Sequence, residues 1–222
     1  IMDDDGRMEL LRQLSCYNKA LYTDALTGIY NRRYYEEQIK KSDMAAGVAM
    51  IDMDDFKIYN DTFGHNAGDL ALTTVVGIIK SNTRRTDTLI RMGGDEFLLI
   101  MPNITEQVFN NKLKQIQEKI YAAKVPGYSQ LHISVSIGGV LSESGNALEN
   151  VIHKADQFMY QAKTCKNMVV TEHDEEIMDD IEYGETSKTH KYRILIVDDS
   201  EMNRTILSEI LSDEYDIIEA SS

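Results

Sequence analysis

Two acidic clusters have the residue types and spacing to hold a divalent cation. The first, in MIDMDDFKIYND, begins with Asp52 directly after an apolar run. The second, in RMGGDEF, places Asp95 and Glu96 after the glycines Gly93 and Gly94. Hard cations prefer such carboxylate oxygens and leave coordination positions free for substrate phosphates. The clusters predict a Mg²⁺ site, with Mn²⁺ as the alternative metal.

The two glycines lie between the apolar runs TLIRM and FLLIM and therefore predict a hairpin. Glycine lets the backbone turn tightly and leaves no Cβ to block a bulky ligand, while the acids lie at the tip. A plain hairpin with solvent-facing acids would explain an isolated GGDE. The second cluster favours a ligand site.

The elements that must position these acids follow from hydrophobic periodicity. GVAMID predicts a strand, followed by a polar loop and the helix AGDLALTTVVGIIKSN. After the hairpin come the helix TEQVFNNKLKQIQEKIYAAK, the strand LHISVSIGGV and the helix ALENVIHKADQFMYQAKT. The order is β-α-β-β-α-β with an extra helix, which predicts an α+β fold: a ferredoxin-like sheet with helices packed on it. In that sheet the strand carrying Asp52 lies beside the hairpin.

Composition excludes some classes of partner. The formal net charge of −14 over 222 residues argues against a surface for a nucleic-acid polymer. No apolar run is long enough to cross a bilayer, and the acidic start lacks the basic region of a signal peptide. The two cysteines, Cys16 and Cys165, form no CxxC pattern and suit a reducing cytosol, so we expect a cytoplasmic protein.

Segments outside the central domain differ in pattern from it. Residues 1–22 predict a helix, either a coiled-coil signalling helix or an amphipathic helix on its own domain, with an apolar seam at Leu10, Leu14, Tyr17 and Leu21. Residues 23–170 form the central domain. Residues 171–190 are an acidic linker, and residues 191–222 begin a new strand, turn, helix and strand.

The central motifs together resemble the GGDEF domain of the diguanylate cyclase family over roughly residues 22–170. DALTGIYNRR is similar to the family's entry motif, DMDDFKIYNDTFGHNAGD to its metal and guanine segment, and RMGGDEF to its signature; ISVSIGGV and ADQFMYQAK match a core strand and the last helix. The resemblance implies an enzyme, a nucleotidyltransferase that joins two GTP molecules into cyclic di-GMP and releases two pyrophosphates. It also implies a homodimer, because each domain holds one GTP.

The resemblance also assigns residues to roles. The implied metal ligands are Asp52, the carbonyl of Met53, Asp95 and Glu96. The implied catalytic residues are Asp52, Lys57, Asp95 and Glu96. The implied substrate-binding residues are Phe56, Lys57, Asn60, Asp69, Gly93, Gly94 and Lys163, and Lys166 is added to them as an expected phosphate contact. The implied product-inhibition site, which binds cyclic di-GMP, is the RxxD pair Arg84 and Asp87, although a charged turn would explain that pattern too.

Residue chemistry fits the guanine and phosphate roles. Asn60 offers a donor and an acceptor, and Asp69 accepts from guanine N1 and N2. The family usually continues two residues after Lys163 with Gly-Arg-Asn, which TCKNMVV lacks, so Lys166 is expected to supply the missing charge. Three further acids are expected to be solvated or helix-capping rather than catalytic: Asp54, Asp55 and Asp61.

Two hypotheses compete with an active cyclase, namely a catalytically silent module that senses GTP or cyclic di-GMP, and a regulatory dimerisation domain of a two-component protein. The last segment supports a two-component context, because ILIVDDSEMNR resembles the start of a response-regulator receiver domain. There Asp198 and Asp199 match paired Mg²⁺-binding acids. The third strand and its phosphorylatable Asp are absent, so we expect a truncated receiver.

Overall fold

The computed structural model describes most of the chain: residues 20–145 and 147–172, Met8, Arg12 and Gln13, and the strands at 193–197 and 216–220. Every described residue among 1–22 is helical. The predicted seam, apart from Leu21, lies outside the described residues, as do the linker beyond residue 172 and the acids Asp198 and Asp199.

The chain divides into two compact units, residues 1–177 and 178–222. The first contains the sheet and its helices. Of the second, the structure describes two paired parallel strands, β9 (Arg193–Val197) and β10 (Asp216–Ala220). A parallel pair is what a strand, helix and strand unit requires. The receiver domain itself remains a prediction.

The first unit contains eight of the strands within the described residues. They are β1 (Tyr30–Asn31), β2 (Ala46–Met53), β3 (Thr88–Gly93), β4 (Glu96–Pro102), β5 (Lys124–Val125), β6 (Tyr128–His132), β7 (Val135–Ser142) and β8 (Val169–Thr171). The helices are α1 (Arg32–Tyr34), continued by a π-helical turn (Tyr35–Ile39), α2 (Phe56–Phe63), α3 (His65–Asn82), α4 (Glu106–Tyr121) and α5 (Leu148–Cys165).

Six strands form one mixed sheet in the order β1-β3-β4-β2-β7-β8. The inner four, β3-β4-β2-β7, are antiparallel neighbours and have the order of a ferredoxin-like fold, so the predicted fold class is confirmed. The edge strands β1 and β8 each add a parallel pairing that periodicity did not predict. Both are only two or three residues long, too short to show a period.

Helices cover both faces of the sheet because its central strand is apolar on both sides. All eight residues of β2 are buried. Ala49 and Ile51 join the core formed with α3 and α4, whereas Val48 and Met50 join the core formed with α5 and the π-helical turn. This alternation follows the period of two along a strand. The C-terminal end of β2 is therefore held between two packed layers.

The helix α5 lies close to the sheet. A Cβ atom at Gly138 of β7 would collide with the backbone oxygen of Ala155 and the backbone nitrogen of Met159. Glycine at this position therefore allows the backbone of α5 to contact the strand directly. The position of Lys163, near the end of the same helix, depends on this contact.

Two predicted elements differ from the structure. The stretch after GVAMID is the helix α2 rather than a loop, and its weak signal arises because no residue of it is fully buried. The predicted strand LHISVSIGGV is two strands, since β6 ends at His132 and pairs with β5. The chain leaves the small hairpin at Ser134, whose carbonyl accepts the backbone N–H of Asp54 at 3.0 Å. Within the described residues, no helix combines the length and hydropathy needed to span a membrane.

Candidate functional site

The two acidic clusters meet at one corner of the sheet. Asp52 of β2 lies directly opposite Glu96 of β4 in the antiparallel register. The backbone N–H of Met53 donates to the carbonyl of Asp95 at 3.3 Å, which ties the end of β2 to the hairpin tip. Asp52 is 3 % exposed, while both signature acids are half-buried. Neighbouring strands thus bring together residues more than forty positions apart in sequence, since 96 − 52 is 44.

Opposing charges surround Asp52. Its Oδ2 lies 2.8 Å from Nζ of Lys163. Burial, together with the charges of Asp95 and Glu96, raises the pKa of Asp52 to about 6, although the Lys163 ammonium works to lower it. Burial works to lower the pKa of Lys163, but its hydrogen bond to Asp52 and the three negative charges raise it overall. The corner is a negative site balanced in part by one lysine.

The donors at this corner fit a hard divalent cation. Asp52, Asp95 and Glu96 supply carboxylate oxygens, and Met53 contributes a peptide carbonyl next to them. Within the described part of the chain, no three acidic, His or Cys side chains converge into a ready-made metal cage. Mg²⁺ commonly uses one or two carboxylates, water and substrate phosphates instead. The residues present therefore suit Mg²⁺ or Mn²⁺ bound together with a phosphorylated substrate.

The hairpin tip is held from outside by an arginine. Arg91 donates from Nε and Nη2 to the carbonyl of Gly94 at 3.0 and 2.7 Å, and from Nη1 to Asp24 at 3.1 Å. Asp24 also accepts from the backbone and hydroxyl of Thr27. Burial works to raise the pKa of Asp24, but these hydrogen bonds and the Arg91 charge hold it below its ordinary value. The sequence analysis did not predict this link between the entry motif and the signature. The opposite charges of Asp24 and Arg91 were the only sign of it that the sequence offered.

Gly93 and Gly94 leave space at the hairpin tip and are not needed for an unusual backbone conformation. Neither has a positive φ, so the tight turn does not require glycine, and that part of the prediction is wrong. A Cβ at Gly94 would contact nothing within 4 Å, and one at Gly93 would approach only Glu96 Oε2, at 3.5 Å. The tip therefore leaves open space above the acids, as the second part of the prediction requires.

The predicted guanine-reading residues lie on two neighbouring helices. Lys57 and Asn60 are three residues apart on α2 and so share a face. The side chain of Asn60 lies against Gly68 of α3, where a Cβ would collide with its Oδ1. Asp69 is the next residue of α3 and is exposed. Phe56, by contrast, packs partly on the core below α2.

The three acids expected to be solvated or helix-capping, Asp54, Asp55 and Asp61, differ in burial and in hydrogen bonding. Asp54 is 4 % exposed and accepts three hydrogen bonds, so the expectation is wrong for it. Asp55 occupies the N-cap position of α2, yet its side chain makes no capping bond and pairs with Lys166 at 2.8 Å. Lys166 therefore has a protein carboxylate as its partner in this structure. Asp61 is exposed, as expected.

The RxxD residues form a turn before β3. The backbone N–H of Arg84 donates to Asp87 Oδ2 at 2.6 Å, and the backbone N–H of Asp87 donates to the Arg84 carbonyl at 3.0 Å. Asp87 therefore has a structural role, whereas the Arg84 side chain is exposed. Because β3 rises ~3.3 Å per residue, the turn lies roughly 17 Å from the hairpin tip.

A pocket of about 810 Å³ opens beside this turn. Its lining includes three cations and three tyrosines: Lys80, Arg84, Arg85, Tyr22, Tyr30 and Tyr34. The rings of Tyr30 and Tyr34 stack with centroids 3.8 Å apart at an interplanar angle of 11°. Cations beside aromatic faces suit an anionic ligand with a planar base.

Known proteins are similar to this chain in sequence. The family model described as "Diguanylate cyclase, GGDEF domain" matches residues 21–168. The probable diguanylate cyclase DgcJ of Escherichia coli is 33 % identical over 152 residues, which cover 65 % of this chain and 30 % of DgcJ. The response regulator PleD of Caulobacter vibrioides is 34 % identical over 160 residues, covering 67 % of this chain and 35 % of PleD.

A solved structure has a similar fold. The coiled coil and GGDEF domain of DgcB from Caulobacter crescentus, in complex with c-di-GMP, superposes with a TM-score of 0.69 at 26 % identity. The match covers 76 % of this chain and 95 % of that one. This chain belongs to the GGDEF family of diguanylate cyclase domains. It spans about a third of the length of DgcJ and PleD.

Proposed function

We propose that the protein is a diguanylate cyclase that condenses two GTP molecules into cyclic di-GMP and two pyrophosphates. The observation that supports this most directly is the convergence of Asp52 with Asp95 and Glu96 below an open glycine tip, beside Lys163. Family membership supports the reaction class. Each 3′-hydroxyl would attack the α-phosphate of the other GTP.

The site residues divide the chemistry between them. Asp52, the Met53 carbonyl and Glu96, with Asp95, would hold Mg²⁺ or Mn²⁺. The bound cation would lower the pKa of the attacking hydroxyl and stabilise charge on the phosphoryl oxygens. Lys57 and Lys163 would neutralise the triphosphate as point charges. Gly93 and Gly94 leave room for GTP, and Asn60 with Asp69 would read guanine.

The reaction requires two copies, since one domain holds one GTP. The helix within residues 1–22 is the proposed pairing element, and residues 191–222 are proposed as the start of a receiver domain. We therefore place the domain in a two-component signalling protein acting in the cytoplasm. The response-regulator name of PleD supports that context by analogy.

The pocket beside the RxxD turn is the proposed product-inhibition site. Arg84, with Arg85 and Lys80, provides positive charge in a protein whose net charge is −14. Arginine binds phosphate bidentately and stacks on purines, so cyclic di-GMP suits this pocket. Product bound there would hold the domains away from the productive arrangement.

Turnover across protein concentrations tests the cyclase proposal. Cyclic di-GMP is measured by chromatography after incubation with GTP and Mg²⁺, and specific activity should rise with concentration because two half-sites must meet. Glu96→Ala should abolish turnover without loss of fold, whereas Glu118→Ala, an exposed acid on α4, should not. Nucleotide binding without turnover would favour the silent sensing module. Dimerisation without nucleotide binding would favour the regulatory module.

Arg84→Ala tests the inhibition site. The variant should bind cyclic di-GMP more weakly and remain active as product accumulates, because a phosphate contact is lost far from the acidic corner. Lys114→Ala removes an exposed cation from α4 and should leave inhibition as it is. Unchanged inhibition in Arg84→Ala would remove the RxxD turn from the proposal.

A further inference from the structure

Asp54 is a buried carboxylate that the proposed reaction does not use. Oδ1 accepts from the Ser136 hydroxyl at 2.6 Å. Oδ2 accepts from the Ser134 hydroxyl at 2.7 Å and from the backbone N–H of Asn167 at 2.9 Å. Removing a charge from water is unfavourable unless hydrogen bonds replace the lost solvation. The three bonds provide that replacement and join three parts of the chain.

These three parts are the end of β2, the start of β7 and the turn after α5. The backbone of Asp54 adds a fourth bond, because its N–H donates to the carbonyl of Ser134 at 3.0 Å. That N–H belongs to the same planar trans peptide as the carbonyl of Met53, so the two groups point in opposite directions. Fixing Asp54 therefore also fixes the direction of the Met53 carbonyl, a proposed metal ligand.

Two ion pairs flank Asp54 and come from the same end of α5. Lys163 pairs with Asp52 at 2.8 Å, and Lys166 donates to both carboxylate oxygens of Asp55 at 2.9 and 2.8 Å. Asn167, which supplies the backbone donor, is anchored in turn by Gln117 through its carbonyl and its side-chain oxygen. The end of α5 is thus attached to the acidic segment at three successive points.

Backbone strain is concentrated at the same place. Four non-glycine residues within the described part of the chain have positive φ, and three of them are Asp55, Lys166 and Asn167, at 55°, 56° and 50°. A positive φ is uncommon for residues other than glycine and persists where the surroundings hold it. We define the Asp54 clasp as Asp54 with its partners Ser134, Ser136 and Asn167.

We propose that Asp54 is a positioning residue for the metal and phosphate site. Through the clasp it holds the Met53 carbonyl toward the cation and holds the end of α5 so that Lys163 faces the triphosphate. Asp54 touches neither group itself. The inference rests on the proposed function, because the cation and the triphosphate are ligands of that function.

A merely structural role predicts a different outcome. A buried acid that only stabilises the fold would, when replaced, lower the melting temperature and leave the ligand affinity of the folded molecules unchanged. Asp54→Asn removes the charge but can keep the clasp, because its amide oxygen can accept from Ser134 and Asn167 while its NH₂ donates to the Ser136 hydroxyl. Asp54→Ala deletes all three bonds.

The test measures Mn²⁺ binding from the loss of the free-ion electron paramagnetic resonance signal, with a non-hydrolysable GTP analogue present and absent. Every variant is measured at a temperature at which circular dichroism shows it folded. Ile152→Ala is the matched control, because Ile152 is buried in the first half of α5, away from the clasp. If Asp54→Ala does not fold, Ser136→Ala replaces it, since that change removes only the partner of Oδ1.

We expect Asp54→Ala to bind Mn²⁺ about tenfold more weakly, the usual loss when a group that orients a metal ligand is removed, with a raised KM for GTP. The Mn²⁺ affinity of Asp54→Asn should stay within about threefold of that of the unmodified protein. Ile152→Ala should bind Mn²⁺ as tightly as the unmodified protein despite a lower melting temperature. If Ser136→Ala carries the test, a smaller loss in the same direction is expected.

Full Mn²⁺ affinity in a destabilised Asp54→Ala, or in Ser136→Ala where that variant carries the test, would overturn the inference. An equal loss in Ile152→Ala would do the same. Failure of the unmodified protein to bind Mn²⁺ would overturn the metal assignment and the role of Asp54 together. Mn²⁺ binding without cyclic di-GMP synthesis would overturn the cyclase proposal alone. The role of Asp54 would then still be decided by the Mn²⁺ affinities of the variants.

Discussion

Asp52 carries its charge where burial and two neighbouring acids both disfavour it. Within the described residues it forms one ion pair, with Lys163, whose ammonium lies 2.8 Å away. A site with unbalanced negative charge binds a divalent cation favourably, because the cation relieves repulsion among the carboxylates. The same arrangement leaves the metal-free protein with a repulsion that depends on pH.

Asp52→Asn should stabilise the metal-free protein at neutral pH, and the gain should shrink as the pH falls toward 3.8. The folded-state pKa of Asp52, about 6, lies above the ordinary aspartate pKa of 3.8, so the folded state binds the proton more tightly. The stability that this provides is complete below pH 3.8 and is lost as pH rises through about 6. The gain in melting temperature over the unmodified protein should therefore grow mainly between pH 3.8 and about pH 6 and level off above that range.

Thermal melts followed by circular dichroism in the presence of a chelator would measure this gain. Asp61→Asn removes an exposed charge from α2 and should show no such growth with pH. A gain for Asp52→Asn that is constant across the range would contradict the assigned pKa.

Asp69→Asn should narrow the preference for GTP over ATP. Adenine presents an acceptor at N1 where guanine presents a donor, so the Asp69 carboxylate would face a lone pair. A site built on such hydrogen bonds can discriminate by a factor on the order of 10⁴ in favourable cases. Calorimetric titration with non-hydrolysable analogues and Mg²⁺ measures the two affinities. Asp61→Asn makes the same charge change on the neighbouring helix and should leave the ratio of GTP affinity to ATP affinity unaltered. If the unmodified protein binds GTP and ATP with equal affinity, Asn60 and Asp69 do not read the base.

At the scale of elements, the contact between β7 and α5 sets where Lys163 lies. Gly138→Ala would force the α5 backbone away from the strand, because its Cβ meets backbone atoms that cannot rotate aside. We expect a loss in the free energy of unfolding of about 1–3 kcal/mol or more, with reduced turnover. Urea titration measures the first effect and the cyclase assay the second.

Gly77→Ala is the matched control for that substitution. Gly77 lies exposed in α3, a Cβ added there would meet no atom within 4 Å, and its φ is not positive. Alanine there should raise the free energy of unfolding by about 0.5–1 kcal/mol, because it loses less backbone entropy than glycine in a helix. A stability loss at both glycines would show that helix packing at Gly138 is not the cause.

Elements with strong apolar patterns could be predicted from the sequence, and those fixed by polar contacts could not. The central strand β2 and the helices α3, α4 and α5 agree with their periodicity because burial decides them. The helix α2 was expected as a loop because only Phe56 and Tyr59 pack on the core. The break between β6 and β7 depends on the carbonyl of Ser134, which no hydrophobic pattern records.

The candidate site divides in the same way. Asp52, Asp95 and Glu96 could be identified because their type and spacing predict metal binding, and the sheet order brings them together. Asp54 could not be distinguished from its acidic neighbours, because its burial arises from partners about 80 to 113 residues away along the chain. Lys166 was expected to contact phosphate, and its ion pair with Asp55 is equally non-local.

At the scale of the whole molecule, the sheet is assembled from distant segments. β2 pairs with β4, where Ala46 faces Pro102, and with β7, where it faces Ser142. Such pairings must close long loops before they gain contacts, which slows folding. We expect refolding on the scale of milliseconds to seconds rather than microseconds.

Stopped-flow dilution from urea would measure the refolding rate. The chain has no tryptophan and twelve tyrosines, so tyrosine fluorescence is the natural probe. Recovery of the full native signal within the mixing time would contradict the expectation. Thr73→Ala, which removes hydroxyl bonds to preceding carbonyls within α3, tests a local contact and should change the rate little.

The central place of β2 also has a consequence for synthesis on the ribosome. Its two long-range partners begin at Glu96 and Val135, so at least one edge of a buried central strand stays unpaired until β7 has been made. After Met53, the ribosome must add 142 − 53 = 89 residues to complete Ser142. At about 5–20 residues per second, that exposure lasts roughly 4 to 18 seconds. During that time the unpaired edge can pair with other nascent chains on the same polysome, so we expect β2 to be a segment at which the unfinished chain is prone to aggregate.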